Sequence, residues 1–345
     1  MRSRTLMCLA TLCVAPALSA GDGAVTQSLE GIRWALENRL KLTVDDRHAV
    51  DRGYESARLL PVSAPDGIAA IGAVWIEAPP DTYLRWAEDF ADFDRGSSVQ
   101  AVRRLSNPPV FADFDNLFLS HDELRELSRC RIGACAMQLD ADSIRRVAAI
   151  DWAQGSAAAA ATAIVRRMML DVALRYSSEG NPGLPHYHDV KRATDVEQNL
   201  LTMLDDEAAA GRTPAPLLAF LRGHPNAPPA GATSYLYWTT NTFGLKPTTR
   251  LNHTVVYRNR EGGIAGVIAT KQLYASHYFH GGLELRFAVA NSARDERFVL
   301  VMVTRSRSDG LTGLTGALLG DRIRRDALHS LRRYLLFTKD IVEKR

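Results

Sequence analysis

The chain has 345 residues, 46% hydrophobic and 23% charged, with 24 glycines and 15 prolines. That composition excludes a disordered tail, a collagen-like chain and a low-complexity array, and it leaves room for one large domain or two ordinary ones. The formal net charge of +3 makes no electrostatic case for a nucleic acid partner.

The first twenty residues have the order of a secretory signal peptide. Arg2 and Arg4 form a basic start, Leu6 to Val14 are apolar, and Ala17, Ser19 and Ala20 are small. The apolar run is too short to span a bilayer. Cleavage after Ser19 or after Ala20 removes both arginines and lowers the formal charge from +3 to +1. Leu12 before Cys13 is too bulky for lipoprotein processing. No later stretch is continuously apolar for the length of a membrane helix. The expectation is a periplasmic or secreted protein with no transmembrane span in its mature chain.

Cleavage also removes Cys8 and Cys13 and keeps Cys130 and Cys135. In an oxidising compartment this close pair predicts a disulfide, worth about 2 kcal/mol on the chain-entropy argument. Metal binding would need a second ligand pair, and redox catalysis prefers the tighter Cys-x-x-Cys turn. Neither a metal nor a cofactor is expected.

Residues 21–67 read as an N-terminal helical preface, with Leu29, Ile32, Trp34, Leu36, Leu40 and Leu42 at helix-like spacing and a polar stretch through Glu55. Ile68 to Ile76 predicts a strand. Glu77-Ala78-Pro79-Pro80-Asp81 then breaks it and caps an amphipathic helix, with Tyr83, Leu84, Trp86, Ala87 and Phe90 as its buried face. Between about residues 120 and 230 the chain is helical. Ser120 or Asp122 is the first N-cap, and a long helix runs from about Ser156 to Tyr176 through the alanines 157–161. Prolines and glycines at 180–185, 214–216 and 225–231 separate further short helices.

From Ser234 the period changes to that of strands, over 234–242, 250–258, 264–278, 283–290 and 297–305, with turns expected at Asn259–Gly263 and at Gly281-Gly282. The glycine-rich run Gly310 to Gly320 reads as a flexible entrance. A helix from about Asp321 to Glu343 follows, with Ile323, Ala327, Leu331, Leu335, Thr338 and Val342 on one stripe and arginines opposite. It would be roughly 34 Å long against a five-stranded sheet roughly 24 Å wide, enough to cross the whole sheet.

A strand, the Ile76-Glu77-Ala78-Pro79-Pro80 turn and a helix, then a run of antiparallel strands and one long C-terminal helix, resembles the START-like (helix-grip) superfamily over residues 68–95 and 234–343. The resemblance implies an α+β fold: an antiparallel sheet gripping the C-terminal helix, here as one domain over 68–345 interrupted by the large helical insertion. It also implies a lipid or other hydrophobic small molecule held between sheet and helix. It carries over no catalytic residue.

Three side chains are candidates to contact such a molecule: His253, His277 and Arg286. His277 lies in Tyr274-Ala275-Ser276-His277-Tyr278-Phe279-His280, where an imidazole among apolar neighbours could titrate near neutrality. A strand reading puts Leu273, Ala275, His277 and Phe279 on one face. His277 is accordingly the candidate general acid or base of an enzyme reading, of cyclase or hydrolase type. In a third reading the helical insertion docks on an envelope protein partner. His186-Tyr187-His188-Asp189 falls after Pro182 and Pro185 and reads as a polar loop. The sequence lacks a serine hydrolase elbow, a His-Glu-x-x-His zinc helix and a dinucleotide fingerprint.

Overall fold

The computed structural model describes residues 30–90, 93, 99–242, 246–258, 262–292, 295–308, 311 and 313–345; residues 1–20, where the sequence leads one to expect a signal peptide, lie outside them. A π-helical turn, Ala35–Arg39, leads to α1 (Val44–Asp51), β1 (Ser56–Leu60), β2 (Gly67–Ile76), α2 (Pro80–Asp89) and β3 (Val99–Arg104). The helical insertion follows, with α3 (His121–Leu127), α4 (Ala141–Ala148), α5 (Ala157–Glu179), the small strands β4 (His186–Tyr187) and β5 (Thr194–Asp195), α6 (Val196–Ala210) and α7 (Ala215–Gly223). The chain ends with β6 (Ala232–Asn241), β7 (Thr248–Tyr257), β8 (Ile264–Ala275), β9 (Phe279–Val289), β10 (Phe298–Ser308) and α8 (Gly313–Glu343).

Eight strands form one antiparallel sheet in the order β1-β2-β10-β9-β8-β7-β6-β3. The α+β fold, with a large antiparallel sheet and a long C-terminal helix packed on it, is the one expected from the helix-grip resemblance. β2 sits beside β10, so strands from near the two ends of the chain meet at the seam on which α8 lies. No helix among the described residues is long and apolar enough to cross a membrane.

Both faces of this sheet are covered. One face presents Leu251 and Val255 on β7, Val267 and Ala269 on β8, Leu285 and Phe287 on β9, and Val301 on β10 to α5, α6 and α7. The other presents Val256, Ile268, Ala288, Leu300 and Val74 to α2 and α8. All twelve residues of β8 are buried. Each fully buried branched side chain contributes roughly 1.5–3 kcal/mol.

The helices on each face are tied down by charge and shape. Pro80 opens α2 at a position where a missing N–H costs nothing. Arg258 at the end of β7 donates from Nε to Glu88 Oε1 at 2.9 Å, fixing α2 over β7. On the opposite face Glu207 of α6 accepts from Arg212 Nη2 and from Arg305 Nε on β10, each at 2.7 Å. Gly72 on β2 lets α8 settle onto the strand, because a Cβ there would lie 2.9 Å from Leu335 Cδ1 and 3.2 Å from Leu331 Cδ2.

Several sequence expectations are corrected. Residues 56–60, inside the expected preface, form edge strand β1 paired with β2, and β3 closes the opposite edge against β6. Neither strand alternates cleanly, since both are only half-buried edges. Gly281 and Gly282 are not a turn but part of β9. Gly281 leaves room for α6, where a Cβ would meet Met203 Cε at 3.1 Å. The turn falls instead at 276–278, with Tyr278 at φ +63°. Gly313 to Gly320 are helical, the first turns of α8. Finally, α8 does not cross the whole sheet. It packs on β1, β2 and β10, since the aromatic face of α2 already covers β7 and β8.

Candidate functional site

The antiparallel register lays out the sheet face shared by α2 and α8 row by row. Ala288, Leu300 and Val74 form one apolar row. Next comes the row Val256, Ile268, Arg286, Met302 and Gly72, then Thr254, Thr270, Glu284 and Thr304. Asn252 and Gln272 pair in the row beyond. The face therefore passes from aliphatic to polar over two rows, with Arg286 at the change.

On β7, β8 and at Arg286 these polar residues are out of water, while Glu284 and Thr304 are half-buried. Thr254, Thr270, Asn252, Gln272 and Arg286 are all at most 5% exposed. Thr254 Oγ1 and Thr270 Oγ1 lie 2.8 Å apart across the strands. Arg286 Nη2 donates to Glu284 Oε2 at 2.6 Å, and Arg250 Nη1 stands 3.9 Å from Glu284 Oε1. The Arg286 guanidinium is flanked by the rings of Phe93, 5.2 Å away beyond α2, and Tyr334, 4.9 Å away on α8. Asn252 Nδ2 and Thr239 Oγ1 are buried with no hydrogen-bond partner among the described residues. A buried donor left unmet costs about 1–3 kcal/mol. This strip of the face is therefore suited to meeting oxygen atoms of something other than its own side chains.

The cover over this face is uneven. Leu331, Leu335, Thr338 and Val342 of α8 are buried as the stripe predicts, but Ile323, Ala327 and Leu328 in its earlier turns are only half-buried. Arg324 lines a groove of about 340 Å³ with the connection from β1 to β2.

Of the three candidate contact residues, only Arg286 lies on this face. His253 alternates the other way along β7 and points into the helical insertion. Its Nδ1 lies 2.7 Å from Tyr176 Oη on α5, and its ring centroid is 4.9 Å from that of His224. Lys271 joins the same cluster from β8, donating to Asn181 Oδ1 at 2.9 Å and to the Leu221 carbonyl at 3.0 Å, with Nζ 4.9 Å from the Tyr176 ring. Burial pushes the Lys271 amine down to about 7. Burial, then the nearby Lys271, lowers His224 to about 4, and the same causes hold His253 well below its usual value. These imidazoles are thus neutral at physiological pH, and the cluster fastens the insertion to the sheet.

His277 is in neither place. It sits in the turn after β8, not on a strand, because a bulge at Leu251/Asn252 shifts the register and pairing ends at Ala275. Its Nδ1 lies 3.0 Å from the Ala136 carbonyl and its Nε2 3.5 Å from Glu123 Oε1. Burial alone would raise Glu123, but His277 and the Ser120 N–H and hydroxyl outweigh it and hold that carboxyl below its usual range. Nδ1 thus meets the Ala136 carbonyl, while Nε2 faces the Glu123 carboxylate but is buried with no hydrogen-bond partner among the described residues, and the ring sits between α3 and the turn.

Cys130 and Cys135 are disulfide-bonded, as expected. His186, Tyr187 and His188 lie in and beside the short strand β4, with His186 Nδ1 3.9 Å from Asp195 Oδ2. Among the described residues no group of His, Cys, Asp or Glu is arranged to hold a metal ion. Sequence reasoning missed Lys271, Tyr176 and the buried polar rows. Their signal was present as polar residues at every second position, in Arg250-x-Asn252-x-Thr254 and Thr270-x-Gln272.

No family model matches the sequence, and no curated protein matches it. Among solved structures the chain is similar to the Zhui aromatase/cyclase from Streptomyces sp. R1128, at 11% identity over 84% of this chain and 96% of that one, with a TM-score of 0.35. No residue role is carried across from it.

Proposed function

We propose that this protein binds a hydrophobic small molecule with a polar end, a lipid or a compound of similar character, on the sheet face that α2 and α8 share. The observation that carries the reading is the graded face: aliphatic rows lead into buried Thr254, Thr270, Asn252 and Gln272, with Asn252 Nδ2 unmet. The aliphatic rows would hold the apolar body by exclusion of water. The polar rows and Arg286 would orient the other end. The half-buried early turns of α8 leave side chains free to close on a ligand. The leader-like start of the sequence supports export to the periplasm or beyond as the setting of this binding.

His277 lies away from this face, in the turn after β8 between the Ala136 carbonyl and Glu123, so this reading gives it no part in holding the ligand. The test is native mass spectrometry of the mature chain from its own periplasmic fraction, then delipidation and reloading with fluorescent fatty acid, sterol and phospholipid analogues. One class should be retained at about one per chain. Thr270→Val should weaken it by roughly tenfold, the worth of one hydrogen bond, while His253→Gln on the opposite face should leave the affinity unchanged. Failure of every analogue to bind the delipidated chain, or equal loss in both variants, would sink this reading.

A further inference from the structure

The disulfide loop and the segment after β4 form a single platform on the surface of the helical insertion. Arg131 N donates to the Ala134 carbonyl at 3.2 Å and Ala134 N to that of Arg131 at 2.9 Å, closing a tight turn inside the Cys130–Cys135 ring. That turn is bonded to its neighbour: Gly133 N donates to the His188 carbonyl at 2.8 Å, Cys135 N to that of Asp189 at 2.9 Å, and Ala134 bridges Val190. The platform is fixed to the main sheet as well, because Gln138 N donates to the Ser276 carbonyl at 2.9 Å and the Ala136 carbonyl faces His277.

What this platform displays is unusual for a chain of near-neutral charge. Arg129, Arg131, Lys191 and Arg192 are all exposed, and none makes an ion pair or a side-chain hydrogen bond among the described residues. Two aliphatic residues stand among them, Ile132 at 51% exposure and Val190 at 45%. Of the acids in the neighbouring segments, Asp122 pairs with Arg125, Glu126 with Lys246 and Asp142 with Arg146, Asp195 lies 3.9 Å from His186, and Asp189 is buried. Four cations with no ion-pair partner among the described residues, beside two exposed aliphatic side chains on a cross-linked frame, match a surface that is anionic at its face and apolar just beneath.

We infer that this platform docks the protein on an anionic lipid bilayer. Ile132 and Val190 enter the boundary between head groups and acyl chains, and the four cations lie among the lipid phosphates. A groove would be the signature of an acidic peptide, whereas the exposed residues here sit on two neighbouring turns. Each cation near such a surface strengthens partition by roughly fivefold. This site is separate from the proposed ligand face, and its test does not depend on any ligand being found.

The experiment is co-sedimentation of the mature chain with phosphatidylcholine vesicles, with and without phosphatidylglycerol, at low and high salt. The wild-type chain should sediment with the anionic vesicles, not with pure phosphatidylcholine, and should be released by salt. Arg131→Gln with Lys191→Gln should lower partition by roughly thirtyfold. Ile132→Ser with Val190→Ser should also lower it while leaving the salt dependence in place. All four positions are exposed, so unchanged thermal melting will accompany these losses. The inference is overturned by equal binding to both vesicle types, by undiminished binding of the glutamine variant, or by no binding to either vesicle. Retention on immobilised polyglutamate through the same cations, without vesicle binding, would make an acidic protein the partner and overturn it equally.

Discussion

Lys271 makes stability depend on pH above neutrality in a direction opposite to ordinary alkaline unfolding. Its amine is wholly buried on β8, and burial lowers it from 10.5 to about 7. Asn181 Oδ1 and the Leu221 carbonyl accept from it. In the unfolded chain the amine returns to its ordinary value, so between pH 7 and 10.5 the unfolded state holds the extra proton. Stability then rises with pH across that window, by about 1.4 kcal/mol per unit at most. From pH 7 to 9.5 the gain is roughly 3 kcal/mol. The window stops there because burial raises Tyr176, Tyr187 and Tyr274, whose unfolded counterparts begin to ionise near pH 10 and act with the opposite sign. Urea unfolding followed by far-UV circular dichroism at several pH values, at constant ionic strength, measures the effect. Lys271→Met strands two buried acceptors, at about 1–3 kcal/mol each, so its absolute stability is not diagnostic; its slope is. The wild type should gain with pH where the methionine variant stays flat. Parallel slopes in the two proteins would refute the assignment of a lowered amine to this site.

Two further variants probe how the insertion is fastened and closed. Glu207→Ala leaves Arg212 and Arg305 buried, with Asp206 the remaining partner of Arg305. It should lower the unfolding free energy by about 3–5 kcal/mol, and a loss below about 1 kcal/mol by urea titration would mean that this network is solvated. Replacing Cys130 and Cys135 together by serine should cost about 2 kcal/mol; a midpoint that does not move on substitution or on reduction would show that the backbone bonds of the platform suffice without the cross-link.

The sequence carried more of the architecture than of the site. The proline turn before α2, the stripe Leu331, Leu335, Thr338 and Val342, and five successive strands after the insertion were legible because each is a local periodic signal with chemical punctuation. β1 and β3 were not, since edge strands with one half-wet side lose the alternation that reveals them. The candidate histidines misled for a different reason. Whether His253 faces α8 or the insertion depends on one unit of register, and the fate of His277 depends on where β8 stops pairing. Both are decided by long-range pairing, which leaves no mark in the neighbouring residues. Lys271 looked like a surface residue and is fully buried, because Asn181 and Leu221 come to it from 90 and 50 residues away.

The burial of β8 along its whole length has a consequence for how this protein can change over time. An ordinary two-layer domain can shed or acquire a peripheral segment, because one side of its sheet is already fitted to water. Here the aliphatic residues Leu251, Val267, Leu285 and Val301 lie under the helices between β3 and β6. Loss of those helices would strip a continuous greasy surface and bare Lys271 with it. The insertion is therefore not a detachable module: it and the sheet form one inheritable unit, and a homologue lacking it would need a rewritten set of strand residues on that side.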